Sequence, residues 1–430
     1  MMHDVLKDKK VIFFDVIIEL LEEGASGEPV EPGEPVEPGE PTEPGEPTEP
    51  GESVEPGESE EPEESELKVS FTMPEIAMVD TPFEISFEST NCVNFEWYVN
   101  GTYHAELGKK IKKGEAVQLS EVGSCSISVI GYDEAYDKRV SDTQTIIIYN
   151  DPEQLNGNSK EHDRGMYSWK SEYISEEKEE VLQRVMELTD CNVLYQEVGT
   201  NKDPQEVAAF LQRRGEQNQK VYFLCGDASW AIEENAESML NQLSQVVAYN
   251  EAAGEYKFVG IQFDVEPHGL DDFEEHADAY MAQLIENCKT VYEAAREEGI
   301  LIEICIPYWW DDSSRGYDDL LEDLIANGCD SIAVMNYYKK NKELSNIQTE
   351  VELCRKYGKG IVNATETMKP GDHGLTENNT YHYDGIDAIE KMWNLLDGFI
   401  QYDKMGYAFH HLDMMIEILE RDQSIEVDGK

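Results

Sequence analysis

The feature that most constrains this chain is a regular alternation of apolar and amphipathic segments over its C-terminal part. Eight apolar segments have the length and the residue content of strands, at residues 164–169, 192–199, 220–227, 258–268, 301–310, 331–338, 360–368 and 406–413. Between them apolar residues recur at helical spacing, and Gly299, Gly328 and Gly358 stand where helices should end. Because parallel strands need helical crossovers, these eight repeats predict a TIM-type (β/α)8 barrel over residues 160–422 rather than an open doubly wound sheet.

A repeat of the form E-P-V/T-E-P-G dominates residues 28–66, which hold sixteen Glu and no Lys or Arg. Proline removes hydrogen-bond donors, glycine raises the entropic cost of ordering and like charges repel, so no core can form there. We therefore predict a disordered acidic linker over residues 24–66. The tract resembles the Pro-Glu-Gly spacers of bacterial cell-surface enzymes, and this resemblance implies export and association with the cell envelope.

Residues 1–23 have some features of a signal peptide but not all of them. Lys7, Lys9 and Lys10 precede an apolar segment at residues 11–20, but two acidic residues interrupt that segment. It is also too short to span a bilayer, and no other apolar run of the sequence reaches that length. We expect a secreted or cell-surface protein of bacterial type, with a degenerate or missing signal and no membrane insertion.

Residues 67–150 alternate apolar and polar residues with period two, in short stretches separated by turn signals such as Asn100-Gly101. This pattern predicts a small all-β sandwich with strands at residues 67–73, 83–90, 94–101, 116–122, 124–133 and 143–150. Through NFEWYVNG it resembles the immunoglobulin-like or PKD-like modules appended to extracellular carbohydrate enzymes. The resemblance implies a spacer or binding role and a buried Trp97. In an exported protein, Cys92 and Cys125 could form a bridge between strands.

The formal net charge is -57, from 91 Asp and Glu against 34 Lys and Arg. Phosphate backbones and anionic lipid surfaces repel such a chain, so we expect no nucleic-acid partner. The eight cysteines include no Cys-x-x-Cys pair, which indicates neither a zinc site nor a disulfide framework. Asp264, Glu266 and His268 share one face of a strand, but no further ligand stands at a suitable spacing. We therefore expect no metal and no cofactor.

In barrels of this type the active site is built where the strands end, so the polar and aromatic residues there are candidates. The candidates for binding a substrate are Trp169, Asp227, Trp230, His268, Tyr308, Trp309, Trp310, Asn336, Tyr338 and His410. Because strand side chains alternate, only one of Trp309 and Trp310 can face the barrel mouth, and only one of His410 and His411. Aromatic rings stack on sugar faces and carboxylates handle protons, so the mixture favours an oligosaccharide or polysaccharide as the partner.

The segment FVGIQFDVEP ends the fourth predicted strand with two carboxylates. Asp264 and Glu266 point to the same face, with Gln262 behind them. Two such carboxylates repel each other, so the pKa of one should rise, as a general acid near neutral pH requires. The structural alternative is an ion pair between a strand-end carboxylate and Arg164 or Lys339.

This segment resembles the strand-4 motif D-x-x-D-x-D-x-E of the chitinase and endo-N-acetylglucosaminidase family. The resemblance implies that Glu266 is the general acid, that Asp264 assists the substrate N-acetyl group and that Tyr337 contacts this group. Val259 and Gln262 stand where the motif has its two earlier aspartates.

The chain also resembles the large superfamily of retaining glycosidases, in which a strand-4 glutamate is the acid/base and a strand-7 glutamate is the nucleophile. This second resemblance implies the pair Glu266 and Glu366, with Val265 in place of the usual asparagine. We favour this pair because only one position departs from its pattern. The predicted function is hydrolysis of a neutral or amino-sugar glycan by carboxylate acid/base catalysis. The rival is a non-catalytic surface protein that binds glycans.

Overall fold

The computed structural model describes residues 66–200 and 202–422. The predictions for residues 1–23, and those for the linker up to residue 65, lie outside the described residues. The described residues form two compact units. The smaller unit consists of residues 66–69, 89–95 and 130–141, and the larger unit of the remaining described residues.

The first part of the described chain contains two β-sheets and one helix, α1 (Ala105–Lys112). Strands β1 and β3 form a two-stranded sheet, and the other five form a sheet in the order β2-β7-β6-β4-β5. The strands are β1 (Lys68–Thr72), β2 (Ile76–Met78), β3 (Ser86–Thr90), β4 (Asn94–Val99), β5 (Thr102–Tyr103), β6 (Gly123–Tyr132) and β7 (Arg139–Tyr149).

This β-rich part differs from the predicted sandwich in several elements, and the short strands β2 and β5 lie outside the predicted ones. The strand predicted at residues 116–122 is reduced to one bridge between Val117 and Phe83. Helix α1 was not predicted, because its eight residues are too few to show a clear helical period. Trp97 is buried, with 3% exposure, and packs edge-on against aromatic rings of β1 and β3. The immunoglobulin-like or PKD-like assignment stays a prediction. All eight cysteines are free thiols, including Cys92 and Cys125.

Eight parallel strands form a closed barrel in the larger unit, running in chain order from β8 to β15, which pairs back with β8. They are β8 (Asp163–Ser168), β9 (Val193–Gln196), β10 (Lys220–Cys225), β11 (Gly260–Phe263), β12 (Leu301–Pro307), β13 (Ser331–Met335), β14 (Gly360–Glu366) and β15 (Met405–His410). Each predicted strand overlaps one of these, so the predicted (β/α)8 barrel is confirmed. Strand β11 ends earlier than predicted, at Phe263, and a 3-10 turn at Pro267–Gly269 follows.

The α-helices of the barrel alternate with its strands along the chain. They are α2 (Glu179–Leu188), α3 (Pro204–Glu216), α4 (Glu237–Ala253), α5 (Phe273–Glu298), α6 (Asp318–Asp323), α7 (Gln348–Tyr357), α8 (Ile386–Ile400) and α9 (Leu412–Arg421). Helix α3 starts where the sequence indicates, with Asp203 accepting from the Gln205 N–H and Pro204 in the first turn. In the described ranges, no helix combines the length and the apolar character needed to cross a membrane.

Strand side chains of the barrel alternate between two cores, and this alternation positions the site. Outward-facing residues such as Met166, Phe263 and Val265 belong to the large apolar cluster that includes the helices. Inward-facing residues such as Tyr167 and Cys305 form a second cluster inside the barrel. A residue two positions beyond an inward-facing one therefore faces the barrel axis as well.

Candidate active site

Acidic, aromatic and imidazole side chains follow the inward-facing positions at the carboxyl ends of the strands. They are Trp169, Glu197, Asp264, Glu266, Tyr337, Glu366 and His410. Burial raises the pKa of the Tyr337 phenol well above its ordinary value, and the negative charges of Glu366, Asp264 and Glu266 add to this effect. These three carboxylates therefore converge on one phenol from β11 and β14.

Glu366 ends β14 and is almost fully buried, with 3% of its side chain exposed. Its Oε1 accepts hydrogen bonds from the backbone N–H groups of Thr367 and Met368, at 2.7 and 2.8 Å. His410 Nδ1 lies 3.0 Å from Oε2. Burial by itself raises the pKa of Glu366, but the bond from His410 and the two backbone N–H groups outweigh it and lower this pKa below its ordinary value. Glu366 is thus an ionised carboxylate held by donors of the protein itself.

His410 is held between Glu366 and Trp169. The indole Nε1–H of Trp169 donates to His410 Nε2 at 3.0 Å, so the imidazole hydrogen lies on Nδ1 and is donated to Glu366. Tyr337 stacks on the imidazole, with ring centroids 5.6 Å apart. The position and tautomer of His410 are therefore set by three residues from three other strand ends.

Asp264 lies beside Glu266 and is largely buried. Burial, and after it the negative charge of Glu266, raise its pKa to about 7, although His410, the Cys305 thiol and His268 oppose the rise. Within the described part of the chain, its buried Oδ1 atom has no hydrogen-bond partner. Asp264 can therefore hold a proton near neutral pH, and its Oδ1 atom is buried without a partner among the described residues.

Glu266 is the most accessible of the three carboxylates, with 37% of its side chain exposed. Its Oε2 lies 2.9 Å from Nε2 of His268. The His268 ring meets the Trp309 ring edge-on at 5.3 Å, and the guanidinium of Arg315 lies 4.3 Å from the centre of the Trp309 ring. A ligand that reaches Glu266 would therefore lie next to an aromatic surface.

Two of the sequence candidates lie in the outer core and not at the mouth. Asn336 is 2% exposed, and its amide nitrogen donates to the Glu343 carbonyl and to Asn363, both at 2.8 Å. Trp310 is 1% exposed and belongs to the apolar cluster shared with the helices. Their neighbours Tyr337 and Trp309 are more accessible.

The remaining candidates lie near the surface. Asp227 is exposed and caps the turn that follows β10, accepting from the Ser229 backbone N–H at 2.9 Å. The hydroxyl of Ser229 also donates to it and is the main cause that lowers the pKa of Asp227. Trp230 is partly buried against the core. Tyr308 and Tyr338 meet edge-on at 6.3 Å.

The two cations weighed as structural partners of the strand-end carboxylates bond elsewhere. Arg164 donates to Glu390 at 2.7 Å, and Lys339 donates to Asp384 at 2.6 Å. The described ion pairs thus leave Glu266 and Glu366 with histidine partners only.

Three residues near the site were not among the sequence candidates. Glu197 follows β9 on the inward face, and its pKa is raised, chiefly by burial. Tyr167 and Cys305 are inward-facing and lie below the carboxylates, with the Tyr167 hydroxyl 3.7 Å from Cys305 Sγ. Every second residue of β8, β9 and β12 faces the barrel axis, and this alternation could have predicted all three.

Gly226 is required by the backbone of Asp264. An added Cβ at Gly226 would lie 1.7 Å from the Asp264 carbonyl oxygen, so one of the two segments would have to move. We expect Gly226→Ala to lower the free energy of unfolding by about 1–3 kcal/mol in chemical denaturation. Gly269→Ala is the matched control, because its Cβ would only meet Ala228 at 3.7 Å. Equal stability of the two variants would contradict this account of Gly226.

Residues 66–200 and 202–422 contain no group of three or more His, Cys, Asp or Glu side chains arranged to hold a metal ion. The fold and the site define a (β/α)8-barrel protein with an acidic, aromatic-lined site at the carboxyl ends of its strands.

No protein-family profile matches the chain, and no curated protein sequence does. Among solved structures, it is similar to β-glucuronidase 2 of Bacteroides uniformis, with 9% identity, a TM-score of 0.40 and 80% of this chain covered. The chain spans 45% of the length of that glucuronidase. A chitinase of Chromobacterium violaceum has 14% identity and a TM-score of 0.33, over 48% of this chain and 68% of its own.

A variant of the glycoside hydrolase domain of PelA from Pseudomonas aeruginosa has 10% identity and a TM-score of 0.35, over 58% of this chain and 96% of its own.

Proposed function

We propose that this protein hydrolyses a glycosidic bond, with Glu266 as the general acid. The observation that carries the proposal is the pair Asp264 and Glu266, in which burial and mutual repulsion raise the pKa of Asp264 to about 7. The pair stands at the carboxyl ends of the barrel strands, where (β/α)8 enzymes have their active sites. Two carboxyl groups with separated proton affinities are what acid-catalysed cleavage of an acetal requires.

In the proposed mechanism, Glu266 protonates the leaving oxygen, because its carboxyl is exposed to a bound ligand. Asp264 stabilises the positive charge that develops on the sugar, or orients a 2-acetamido group, because part of this residue remains accessible. Tyr337 lies close enough to both carboxylates to share this role. The position of Asp264 beside Glu266 supports the substrate-assisted route implied by the chitinase-like motif.

The contacts of Glu366 support a positioning role rather than a nucleophilic one. A nucleophile must reach the anomeric carbon, whereas this carboxylate is 3% exposed and accepts from two backbone N–H groups and from His410. In this mechanism Glu366 holds His410, which in turn fixes Trp169 and Tyr337 at the mouth. This assignment departs from the Glu266 and Glu366 pair that the sequence favours.

We expect Glu366→Gln to lower turnover by about tenfold to a hundredfold, since the amide can still accept from the imidazole but lacks the charge. A 2-fluoro glycoside should leave no covalent sugar on Glu366, as intact-protein mass spectrometry would show. A trapped adduct at Glu366 would instead establish the two-glutamate mechanism.

The substrate is proposed to be a neutral or amino-sugar glycan. The site presents Glu197, Asp264, Glu266 and Glu366, so an anionic sugar would meet repulsion. Export to the cell surface or the medium, and association with the cell envelope, remain proposals that depend on the acidic repeat of residues 28–66.

The proposal is tested with a panel of oligosaccharides, including pairs that differ only in a 2-acetamido or a 2-hydroxyl group. We expect reducing ends to be released from at least one 2-acetamido substrate and not from its 2-hydroxyl counterpart. The second candidate is glycan binding without hydrolysis, favoured by Gln262, which is neutral where the related motif has an aspartate. Binding without any product, at protein concentrations near that of the glycan, would select this second function.

A further inference from the structure

A column of buried polar side chains fills the barrel interior below Asp264. Gln262 Nε2 lies 2.9 Å from the Tyr167 hydroxyl and 2.6 Å from Glu303 Oε1. The Ser331 hydroxyl donates to Glu303 Oε2 at 2.6 Å. Above them, the Tyr167 hydroxyl lies 3.7 Å from Cys305 Sγ. Cys305 and Asp264 follow the paired residues Ile304 and Phe263 on adjacent strands, and both face the barrel axis.

The chemistry of these groups gives the column one direction. An amide nitrogen can only donate, so Gln262 uses its two hydrogens on Tyr167 and Glu303. Tyr167 therefore accepts from Gln262 and has its single hydrogen left for the sulfur of Cys305. Burial raises the pKa of the Cys305 thiol well above its ordinary value, so Cys305 keeps its hydrogen and can donate it to Asp264.

We propose that the column from Glu303 through Gln262 and Tyr167 makes Cys305 a fixed donor to Asp264, and that Cys305 and Tyr167 are positioning residues of the site. The inference rests on the proposed function in one respect, namely that Asp264 takes part in the chemistry. Gln262 is the element that sets the direction, because an ionised aspartate at this position could only accept from Tyr167 and would reverse the bond.

Several other groups face Asp264, and the test must separate them from Cys305. Glu266, His268 and His410 act on it through their charges. The thiol of Cys225 and the phenol of Tyr337 are also within electrostatic range of Asp264. Cys225 is thus a second thiol near the carboxyl but outside the column, which makes Cys225→Ala a matched control.

The experiment titrates the carboxyl carbon of Asp264 by ¹³C NMR in the full chain, with Asp264→Asn to assign the signal. Losing a donor to the ionised form should raise the pKa, so we expect Cys305→Ala to raise it by about 0.5–1 unit. Cys305→Ser keeps a donor and should stay near the wild type, and Cys225→Ala should not change the titration. Tyr167→Phe should give a smaller rise.

The double variant Tyr167→Phe, Cys305→Ala gives the sharpest result. If Tyr167 acts only through Cys305, the double variant should titrate like Cys305→Ala alone. Additive shifts, or equal titration of Cys305→Ala and Cys225→Ala, would overturn the proposal. If Cys305→Ala does not fold, Cys305→Ser and Tyr167→Phe still decide the matter. The titration needs no substrate, so its result does not depend on whether the protein hydrolyses a glycan.

Discussion

Replacing Glu266 with glutamine is expected to lower turnover about a hundredfold or more while fold and glycan binding persist. The amide has nearly the same shape but cannot give a proton to the leaving oxygen. The side chain is 37% exposed and its described partner is His268, so little stability depends on it. Initial rates and binding isotherms on the same oligosaccharide measure both effects.

Glu274→Gln is the matched control for this substitution, since Glu274 is exposed in the first turn of α5. It makes the same chemical change away from the predicted chemistry and should keep the wild-type rate. If Glu266→Gln stays as active as this control, the general acid is another residue.

The second large effect concerns Asp264 and the dependence of stability on pH. The pKa of Asp264 in the folded protein is about 7, above its ordinary value of 3.8, so the folded state favours the protonated carboxyl. Its contribution to stability is complete below about pH 4 and is lost as the pH rises through 7. By pH 8 the ionised carboxylate costs about 4 kcal/mol.

Asp264→Asn cannot ionise, so we expect it to be more stable than the wild type at pH 8, by up to about 4 kcal/mol, and not at pH 4. Turnover should fall by about a hundredfold or more, because the amide carries no charge to stabilise the developing cation. Denaturation at the two pH values and kinetics at pH 8, where the wild-type carboxylate is ionised, would measure these effects. Equal stability gains at pH 4 and pH 8 would show that ionisation of Asp264 is not the cause.

From the sequence, the alternation of side chains along each strand predicts which residues face the site, but not what they do there. Asp264, Glu266, Tyr337 and His410 stand at strand ends and were all named as candidates. Asn336 was named as well, although its neighbour Tyr337 occupies the inward position. The roles could not be predicted, because a carboxylate at a strand end has the same sequence signature whether it is exposed, like Glu266, or held by backbone donors, like Glu366.

The barrel itself was determined by the sequence, because the eight strands and the helices between them each show their own period. Only the tertiary structure decided what those residues touch. His410 meets Glu366 and Trp169 across separations of 44 and 241 residues, which no local period encodes. Barrel closure brings β15 next to β8 and sets burial and hydrogen bonding at each strand end. Burial and hydrogen bonding in turn raise the pKa of Asp264 and lower that of Glu366.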